Sequence, residues 1–163
     1  MPRRSNLALA VGPALPTIDK VDEEWPPEPK KLDRPVISCK SAAWAKRVPL
    51  EHELKSLLVV CDGGYLVAHV RGNRRLSLRA VKNMLQVQQA RLADPADLPK
   101  FGVTPGTLYP FNDALWSRLQ LIDKDVLEMD WVTTNYGNRR QYVIFPPSRL
   151  LEAENHRVGD FEE

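Results

Sequence analysis

The chain has 163 residues, which is enough for one domain with peripheral segments and too few for a second full domain. Its formal net charge of +2 is not that of a strongly basic nucleic-acid-binding domain. No apolar run approaches the roughly 20 residues that span a bilayer, so we expect a soluble protein without membrane contacts. Cys39 and Cys61 have neither the density of a disulfide scaffold nor the paired spacing of a metal site, so we expect a cytoplasmic protein.

Residues 1–35 are predicted to form a proline-rich arm ahead of the domain. Six prolines lie between positions 13 and 35, and each fixes φ and removes a backbone donor, so regular structure is disfavoured. Trp25 is available to dock this arm on the domain. The apolar stretch from Leu7 to Leu15 faintly resembles a signal peptide, but an internal glycine and proline interrupt it, which argues against secretion.

The next predicted elements are a short helix, a β-hairpin and a second helix. Ser41 is expected to cap the first helix, which ends near Pro49. Residues 57–61 and 65–70 are apolar and flank a turn sequence at 62–64, which predicts two antiparallel strands. Ser77 is then positioned to cap the second helix. The apolar face of that helix consists of Leu78, Val81, Met84 and Leu85.

The second half of the chain is predicted to add strands to the same sheet. The strand candidates are residues 119–122, 131–134 and 141–145, and Ser148 is expected to cap a short terminal helix. The elements predict one domain of the α/β (α+β) class over residues 36–155, with a mixed, mostly antiparallel sheet flanked by helices. Residues 156–163 are expected to form an acidic tail.

The sequence matches no familiar catalytic template. His52, His69 and His156 are scattered and form no spaced metal pair, and we interpret His69 as structural because it lies within a strand. A nucleophile-elbow serine and a nucleotide-binding P-loop are both missing from the sequence. Asp123, after the strand at 119–122, either assists a site or caps the following turn, and the cap is the favoured interpretation.

A lysine before an apolar strand and a distant glycine remain as candidates for a site. Lys55 either extends its ammonium from a strand edge into solvent or places it at the mouth of a pocket. Gly106 lies in a loop rich in glycine and proline, where it either forms an ordinary turn or lets the backbone approach a ligand. In the second case its backbone amides could polarise an ester carbonyl.

Four segments carry a family resemblance. Leu54–Val60 has a lysine ahead of a hydrophobic strand, and Val70–Leu76 has an Arg-Gly pair before a helix. Gly106–Pro110 has the spacing Gly-x-x-x-Pro, and Asn135–Gly137 is an Asn-x-Gly turn. In this order they resemble the YbaK-type family, which includes the editing domain of bacterial prolyl-tRNA synthetases and its free-standing relatives. The resemblance runs from about Ser41 to Leu151 and implies that the sheet is barrel-like.

The resemblance also implies an activity, namely hydrolysis of the ester bond in mischarged aminoacyl-tRNA. The reaction is expected to need neither a metal nor a cofactor. Lys55 would orient the terminal nucleotide or the aminoacyl group, and Gly106 would help to stabilise the oxyanion. Alanyl- or cysteinyl-tRNA for proline is the substrate expected by analogy, and a synthetase that supplies tRNA selectivity is an expected partner. The implied substrate contacts are Thr107, Leu108, Tyr109, Pro110, Asn135 and Gly137, and the implied phosphate contacts are Arg71, Arg74, Arg75 and Lys82.

A catalytically silent binding module of the same fold is the alternative hypothesis. Such a module would use the pocket for an amino acid, a nucleotide or a protein partner. Tyr109 keeps this alternative open because many relatives have a small residue at this position. The larger ring of Tyr109 either narrows the pocket or points outward. The proline-rich arm has no counterpart in the minimal domain and is a second departure from the family pattern.

Overall fold

Two sheets form the framework of the computed structural model, which describes residues 25–163. In chain order the strands are β1 (Lys30–Lys31), β2 (Leu54–Cys61), β3 (Gly64–Arg71), β4 (Ala90–Leu92), β5 (Gln120–Asp123), β6 (Val132–Asn135), β7 (Gln141–Phe145) and β8 (His156–Gly159). One sheet has the order β1-β7-β6 and the other the order β4-β2-β3-β5-β8. The β3-β5 and β5-β8 pairs are parallel and the other pairs antiparallel, which confirms the mixed, mostly antiparallel arrangement.

Short helices connect the strands. The α-helices are α1 (Cys39–Lys46), α2 (Leu78–Leu85) and α3 (Lys124–Leu127), and single-turn or two-turn 3₁₀ helices span Leu50–His52, Leu98–Phe101 and Pro147–Glu152. α2 begins as predicted, because Ser77 Oγ accepts a hydrogen bond from the amide of Ala80 at 3.1 Å. Asp123 caps α3 by accepting the amide of Asp125 at 2.8 Å, in agreement with the favoured interpretation of that residue.

The β2-β3 hairpin is the element that the sequence predicts best. Its strands pair from Leu54 opposite Arg71 to Cys61 opposite Gly64. Asp62 and Gly63 form the turn with φ values of 45° and 86°, the left-handed conformation that matches the twist of a two-residue hairpin. The first strand begins three residues earlier than the apolar run, so Lys55 lies inside the strand rather than before it.

Two predicted helix starts are wrong. α1 begins with Ser38 as the cap instead of Ser41, because the two serines form a reciprocal capping box in which Ser38 Oγ accepts the Ser41 amide and Ser41 Oγ accepts the Ser38 amide. The terminal helix follows Pro146 instead of Ser148, and it is a 3₁₀ helix with Pro147 in its first turn. In both cases the competing start lies two or three residues upstream.

Three clusters of buried side chains form the core. The first packs α1 against the three-stranded sheet, the second packs α2 against the five-stranded sheet, and the third lies beneath the loop that precedes β5. Representative members are Ala43, Val143 and Phe145 in the first cluster, Val59, Val70 and Val81 in the second, and Leu58, Val67 and Leu108 in the third. Because side chains alternate along a strand, even-numbered and odd-numbered residues of β2 face different clusters.

Segments expected to be peripheral take part in the fold. Trp25 packs edge-on against Phe111 with ring centroids 5.0 Å apart, so it docks the end of the arm, and β1 adds to the three-stranded sheet. At the other end, β8 pairs with β5 and Phe161 is 1% exposed. The part of the predicted arm before Trp25 lies outside the described residues.

The strands described here form two open sheets joined by a bridge between Glu53 and Thr133, without a closed barrel. The bridge is parallel and brings the start of β2 next to β6. Glu53, at this junction, also lines a cavity. Within residues 25–163 there is no helix with the length and apolar character required to cross a bilayer.

Candidate active site

A cavity of about 250 Å³ lies beside the open edge of β2. β3 covers one edge of β2 along its whole length, whereas β4 pairs with the other edge only at residues 59–61. Residues 54–58 therefore border the cavity along an edge that β4 leaves open. The remaining walls include α1 residues and part of the loop from Val103 to Leu108, and most lining side chains are apolar. A concave, mainly apolar site with a few polar groups is typical of small-ligand binding.

Lys55 and Gly106 both line this cavity, although they are far apart in sequence. Lys55 donates from Nζ to the carbonyl of Arg74 at 2.6 Å, so its ammonium is held by the loop between β3 and α2. Gly106 has a φ of 79°, a conformation that disfavours residues with a Cβ. The two elements singled out by sequence thus border one cavity.

Backbone groups of β2 also point toward the cavity edge. The Leu58 carbonyl accepts the Ala93 amide at 2.9 Å on the β4 side of the strand. Because backbone groups alternate in direction along a strand, Ser56 directs its N–H and C=O to the same side. There the cavity takes the place of a partner strand.

The 104–107 turn is held in place from both sides. Thr107 Oγ1 accepts the Thr104 amide at 3.2 Å and donates to the Thr104 carbonyl at 2.9 Å. Arg139 donates to the carbonyls of Pro105 and Val36, the latter at 3.1 Å, and its own carbonyl accepts the Val36 amide at 2.9 Å. Arg139 therefore joins the turn to the segment before α1, a role that the sequence did not reveal.

Ser56, a cavity residue, begins a hydrogen-bonded chain that sequence reasoning missed. Its Oγ lies 2.8 Å from His69 Nδ1, and His69 Nε2 lies 2.8 Å from Gln120 Oε1. Gln120 Nε2 donates to the carbonyls of Leu115 and Arg118 at 2.9 and 3.0 Å, which fixes the amide so that Oε1 accepts from His69. Nδ1 is then the unprotonated nitrogen, and Ser56 Oγ donates to it.

The His69 imidazole is fully buried, and this burial lowers its pKa to about 4. It is therefore neutral near pH 7, as the tautomer assignment requires. The burial of His69 is consistent with the structural role expected for it. His69 also contacts Ser56, a residue that lines the cavity.

A buried ion pair also lines the cavity and was missed from the sequence. Lys46 Nζ lies 2.8 Å from Glu53 Oε2 and donates to Glu53 Oε1 at 3.1 Å and to Thr133 Oγ1 at 3.2 Å. The two charged side chains are 2% and 4% exposed. Cys39 is a further lining residue, but burial raises the pKa of its thiol, which makes it a poor nucleophile at neutral pH.

The predicted substrate contacts divide into two groups. Leu108 and Asn135 line the cavity, and Asn135 Nδ2 donates to the Leu108 carbonyl at 3.1 Å. The others lie outside its lining and are Thr107, Tyr109, Pro110 and Gly137. Gly137 supports the site indirectly, because its amide donates to Asn135 Oδ1 at 2.7 Å.

The Tyr109 ring does not fill the cavity. It packs edge-on against Phe111 and Tyr136, with centroids 5.6 and 5.2 Å away, and its burial raises its pKa to about 12. The large ring therefore leaves the space between Lys55 and Gly106 open.

The model of a family described as the aminoacyl-tRNA editing domain matches residues 33–153, a span that contains nearly all of the cavity lining. The chain belongs to this family.

Similar proteins include a proline–tRNA ligase of Leptospira biflexa serovar Patoc, which is 37% identical to this editing domain over 60 residues. That match covers 37% of the chain and only 10% of the ligase. The crystal structure of a candidate trans-editing enzyme for prolyl tRNA synthetase has a TM-score of 0.76 at 24% identity and covers 84% of this chain and 87% of that one. A hypothetical protein gives a TM-score of 0.75 at 24% identity, with 83% and 91% covered. These two structures agree with the editing domain in fold.

The predicted phosphate contacts of the editing domain are not equivalent. Arg71 donates to Glu162 at 2.8 Å and lies 3.4 Å from Asp125, and hydrogen bonding to Glu162 raises its pKa. Arg74 is 3.9 Å from the same carboxylate, whereas Arg75 and Lys82 are exposed. The charge of Arg71 is therefore compensated within the fold.

Proposed function

We propose that this editing domain hydrolyses the ester bond of mischarged aminoacyl-tRNA and holds the aminoacyl group in the cavity beside β2. The observation that carries this proposal is that Lys55, Ser56 and Gly106 border one mainly apolar cavity. A volume of about 250 Å³ is sufficient for an alanyl or cysteinyl group, the aminoacyl groups expected by resemblance.

Stabilisation of the oxyanion is assigned to backbone amides. As the ester carbonyl is attacked, its oxygen gains charge, and preorganised N–H donors lower the energy of that state. The Thr107 amide already donates to Thr104, which leaves the Gly106 amide as the proposed donor from the turn. The Ser56 amide, on the open edge of β2, is the proposed second donor.

Ser56 is proposed to position the attacking water. Its proton is directed to His69 Nδ1, so the lone pairs of Oγ are free to accept a hydrogen bond from a water in the cavity. As the water oxygen bonds to the ester carbon, a proton of the water would pass through a neighbouring hydroxyl of the terminal ribose to the departing ribose oxygen, and the ester C–O bond would break, so no catalytic histidine is required. Held in this geometry, the reactants gain an advantage of several kcal/mol, on the order of 7 in ideal intramolecular reactions. No step of this scheme requires a metal or a cofactor.

Lys55 is proposed to bind the terminal nucleotide. Its ammonium donates one hydrogen bond to the Arg74 carbonyl, and its other N–H groups would donate to a phosphate or ribose oxygen of that nucleotide. The exposed Arg75 and Lys82 are proposed to contact phosphates further along the tRNA. A synthetase would supply selectivity for the tRNA itself.

A silent binding module is less well supported by the geometry. One ground for it is the large Tyr109 ring, which either narrows the pocket or points outward, and the ring packs against Phe111 and Tyr136 outside the cavity lining. The proline-rich arm, its second ground, lies mostly outside the described residues.

The test is to incubate a panel of aminoacyl-tRNAs with the wild-type protein and with the Lys55→Ala variant. Lys124→Ala is the matched control, because it removes an exposed lysine outside the cavity lining. We expect release of small amino acids by the wild type and the control and a loss of at least about 10-fold with Lys55→Ala, the effect of removing one charged contact. Folded wild-type protein that releases none of the amino acids would overturn the proposal.

A further inference from the structure

The Lys46–Glu53 pair is an unusual wall for a mainly apolar cavity. Removing two charges from water carries a large desolvation cost, and hydrophobic residues of similar volume are often as stable or more stable at such positions. Burial lowers the pKa of Lys46 and raises the pKa of Glu53, so the surroundings disfavour both charges, and the main effect that opposes this is their mutual attraction. The pair therefore carries a desolvation cost that the packing of the cavity wall does not require.

One oxygen of the pair has unused hydrogen-bonding capacity. Glu53 Oε2 is buried, and its one charged neighbour in the described residues is the Lys46 ammonium, 2.8 Å away. The short distance reflects charge attraction, while the directed bonds of the ammonium go to Glu53 Oε1 and Thr133 Oγ1. A carboxylate oxygen can accept more than one hydrogen bond, so Oε2 can still accept one from a ligand.

Both residues are fixed in position. Lys46 ends α1 and its Nζ lies 4.9 Å from the centroid of the Tyr142 ring, and Glu53 lies at the bridge that joins the two sheets. All three side chains line the cavity. A fixed acceptor and a fixed ammonium at one wall are suited to selecting a ligand by its hydrogen-bonding groups.

We propose that Lys46 and Glu53 determine amino-acid specificity by binding a side-chain hydroxyl of the aminoacyl group. A hydroxyl fits this pair because it donates one hydrogen bond, to Glu53 Oε2, and accepts another, from Lys46 Nζ. The apolar lining then contacts the carbon atoms of the side chain. Seryl and threonyl esters are thus the favoured substrates, in place of the alanyl ester expected by resemblance. This inference rests on the proposed hydrolysis.

The experiment compares four esters on one tRNA. Seryl and alanyl esters differ by the hydroxyl, and threonyl and valyl esters are of nearly equal size but differ in the same way. We expect kcat/KM to be at least about 10-fold higher for the hydroxylated member of each pair, since a site built for a hydroxyl rejects the analogue that lacks it. This wild-type comparison alone decides the inference, whatever a variant does to folding.

A double variant assigns the preference to the pair. Lys46→Met with Glu53→Leu removes both charges at similar volume, and we expect the preference to fall to within about 2-fold while hydrolysis of the alanyl ester continues. Arg149→Met with Glu152→Leu removes an ion pair outside the cavity lining and should keep the preference. Equal wild-type rates within each pair of esters would overturn the inference and leave the proposed hydrolysis intact, whereas hydrolysis of none of the four would overturn both.

Discussion

Ser56 and His69 face each other across the β2-β3 hairpin, with Oγ and Nδ1 2.8 Å apart, and this contact connects a cavity residue to a buried imidazole. The hairpin register places the two residues directly opposite one another. Gln120 on the neighbouring strand completes the chain and fixes the tautomer. The serine hydroxyl is thereby oriented before any substrate binds.

We expect Ser56→Ala to lower kcat for ester hydrolysis by about 10- to 100-fold with little change in KM, since positioning a water acts on the chemical step. Single-turnover deacylation measures this effect. Ser41→Ala serves as the control, because it removes a serine hydroxyl from the capping box of α1, outside the cavity lining. An unchanged kcat for Ser56→Ala would exclude a role for its hydroxyl.

Stability should fall as pH decreases from about 6.5 to 4 because of His69. Its pKa is about 4 in the folded chain and about 6.5 when unfolded, so protonation favours the unfolded state in that window. The contribution is fully present above pH 6.5 and amounts to about 3 kcal/mol at most. Urea unfolding at pH 7 and pH 4.5 measures it.

His69→Gln removes the titrating group and is the comparison for that experiment. The pH dependence of the unfolding free energy should be smaller in this variant than in the wild type, while the remaining dependence comes from other groups such as His52, whose pKa is also lowered by burial. Equal pH dependence in both proteins would show that His69 does not titrate as described.

Gly106→Ala and Gly102→Ala form a matched pair. Both glycines have positive φ, 79° and 69°, so each substitution should destabilise the fold by about 1 kcal/mol. Only Gly106 lines the cavity, and we expect only Gly106→Ala to reduce hydrolysis beyond the loss of folded protein. Thermal unfolding and kcat/KM are the two measurements. Equal activity of the two variants would argue against an amide donor in the 104–107 turn.

Arg139→Ala should loosen the 104–107 turn, because the guanidinium no longer bridges the carbonyls of Pro105 and Val36. We expect faster amide hydrogen exchange in the turn and a lower kcat/KM. Arg140→Ala is the neighbouring control, since Arg140 is exposed and its guanidinium makes one long contact, 3.4 Å, with the carbonyl of Asp33. Exchange in the turn that is the same in both variants would contradict the bridging role.

Removing Arg75 and Lys82 together should weaken tRNA binding and make it less dependent on salt. If each contacts one phosphate, the slope of log affinity against log salt should change by about 1 per residue. Arg71→Ala should instead lower stability, because it removes the guanidinium hydrogen bonds to the buried Glu162 carboxylate and leaves Arg74, 3.9 Å away, as its nearest cation. A salt dependence unaffected by the double variant would place the tRNA on another surface.

Much of the framework is predictable because its signals are local. The β2-β3 hairpin follows from an apolar run, a glycine turn and a second apolar run, and α2 follows from its cap and period. The predicted starts of the first and last helices fail because serines and prolines a few residues upstream compete as caps. Local patterns do not decide between such neighbours.

The site is only partly predictable because it is assembled from distant positions. Lys55 and Gly106 were found through short motifs, but Lys46 in an alanine-rich helix and Glu53 before a strand resemble ordinary surface charges until the sheets meet at Thr133. Arg139 was not a candidate from the sequence, because it links two segments through contacts with Pro105 and Val36, which are distant from it along the chain.

The most direct test asks whether the aminoacyl group occupies the cavity. Val36 lines the cavity and is partly exposed, so Val36→Trp should reduce its volume without disturbing the core, and Arg34→Trp places the same ring on an exposed position outside the lining. We measure single-turnover deacylation of a tRNA that carries a small aminoacyl group. The rate should be the same for the wild type and Arg34→Trp and at least about 10-fold lower for Val36→Trp, because binding in an apolar pocket is sensitive to the volume of the pocket. Hydrolysis by Val36→Trp at the wild-type rate would contradict this assignment of the site.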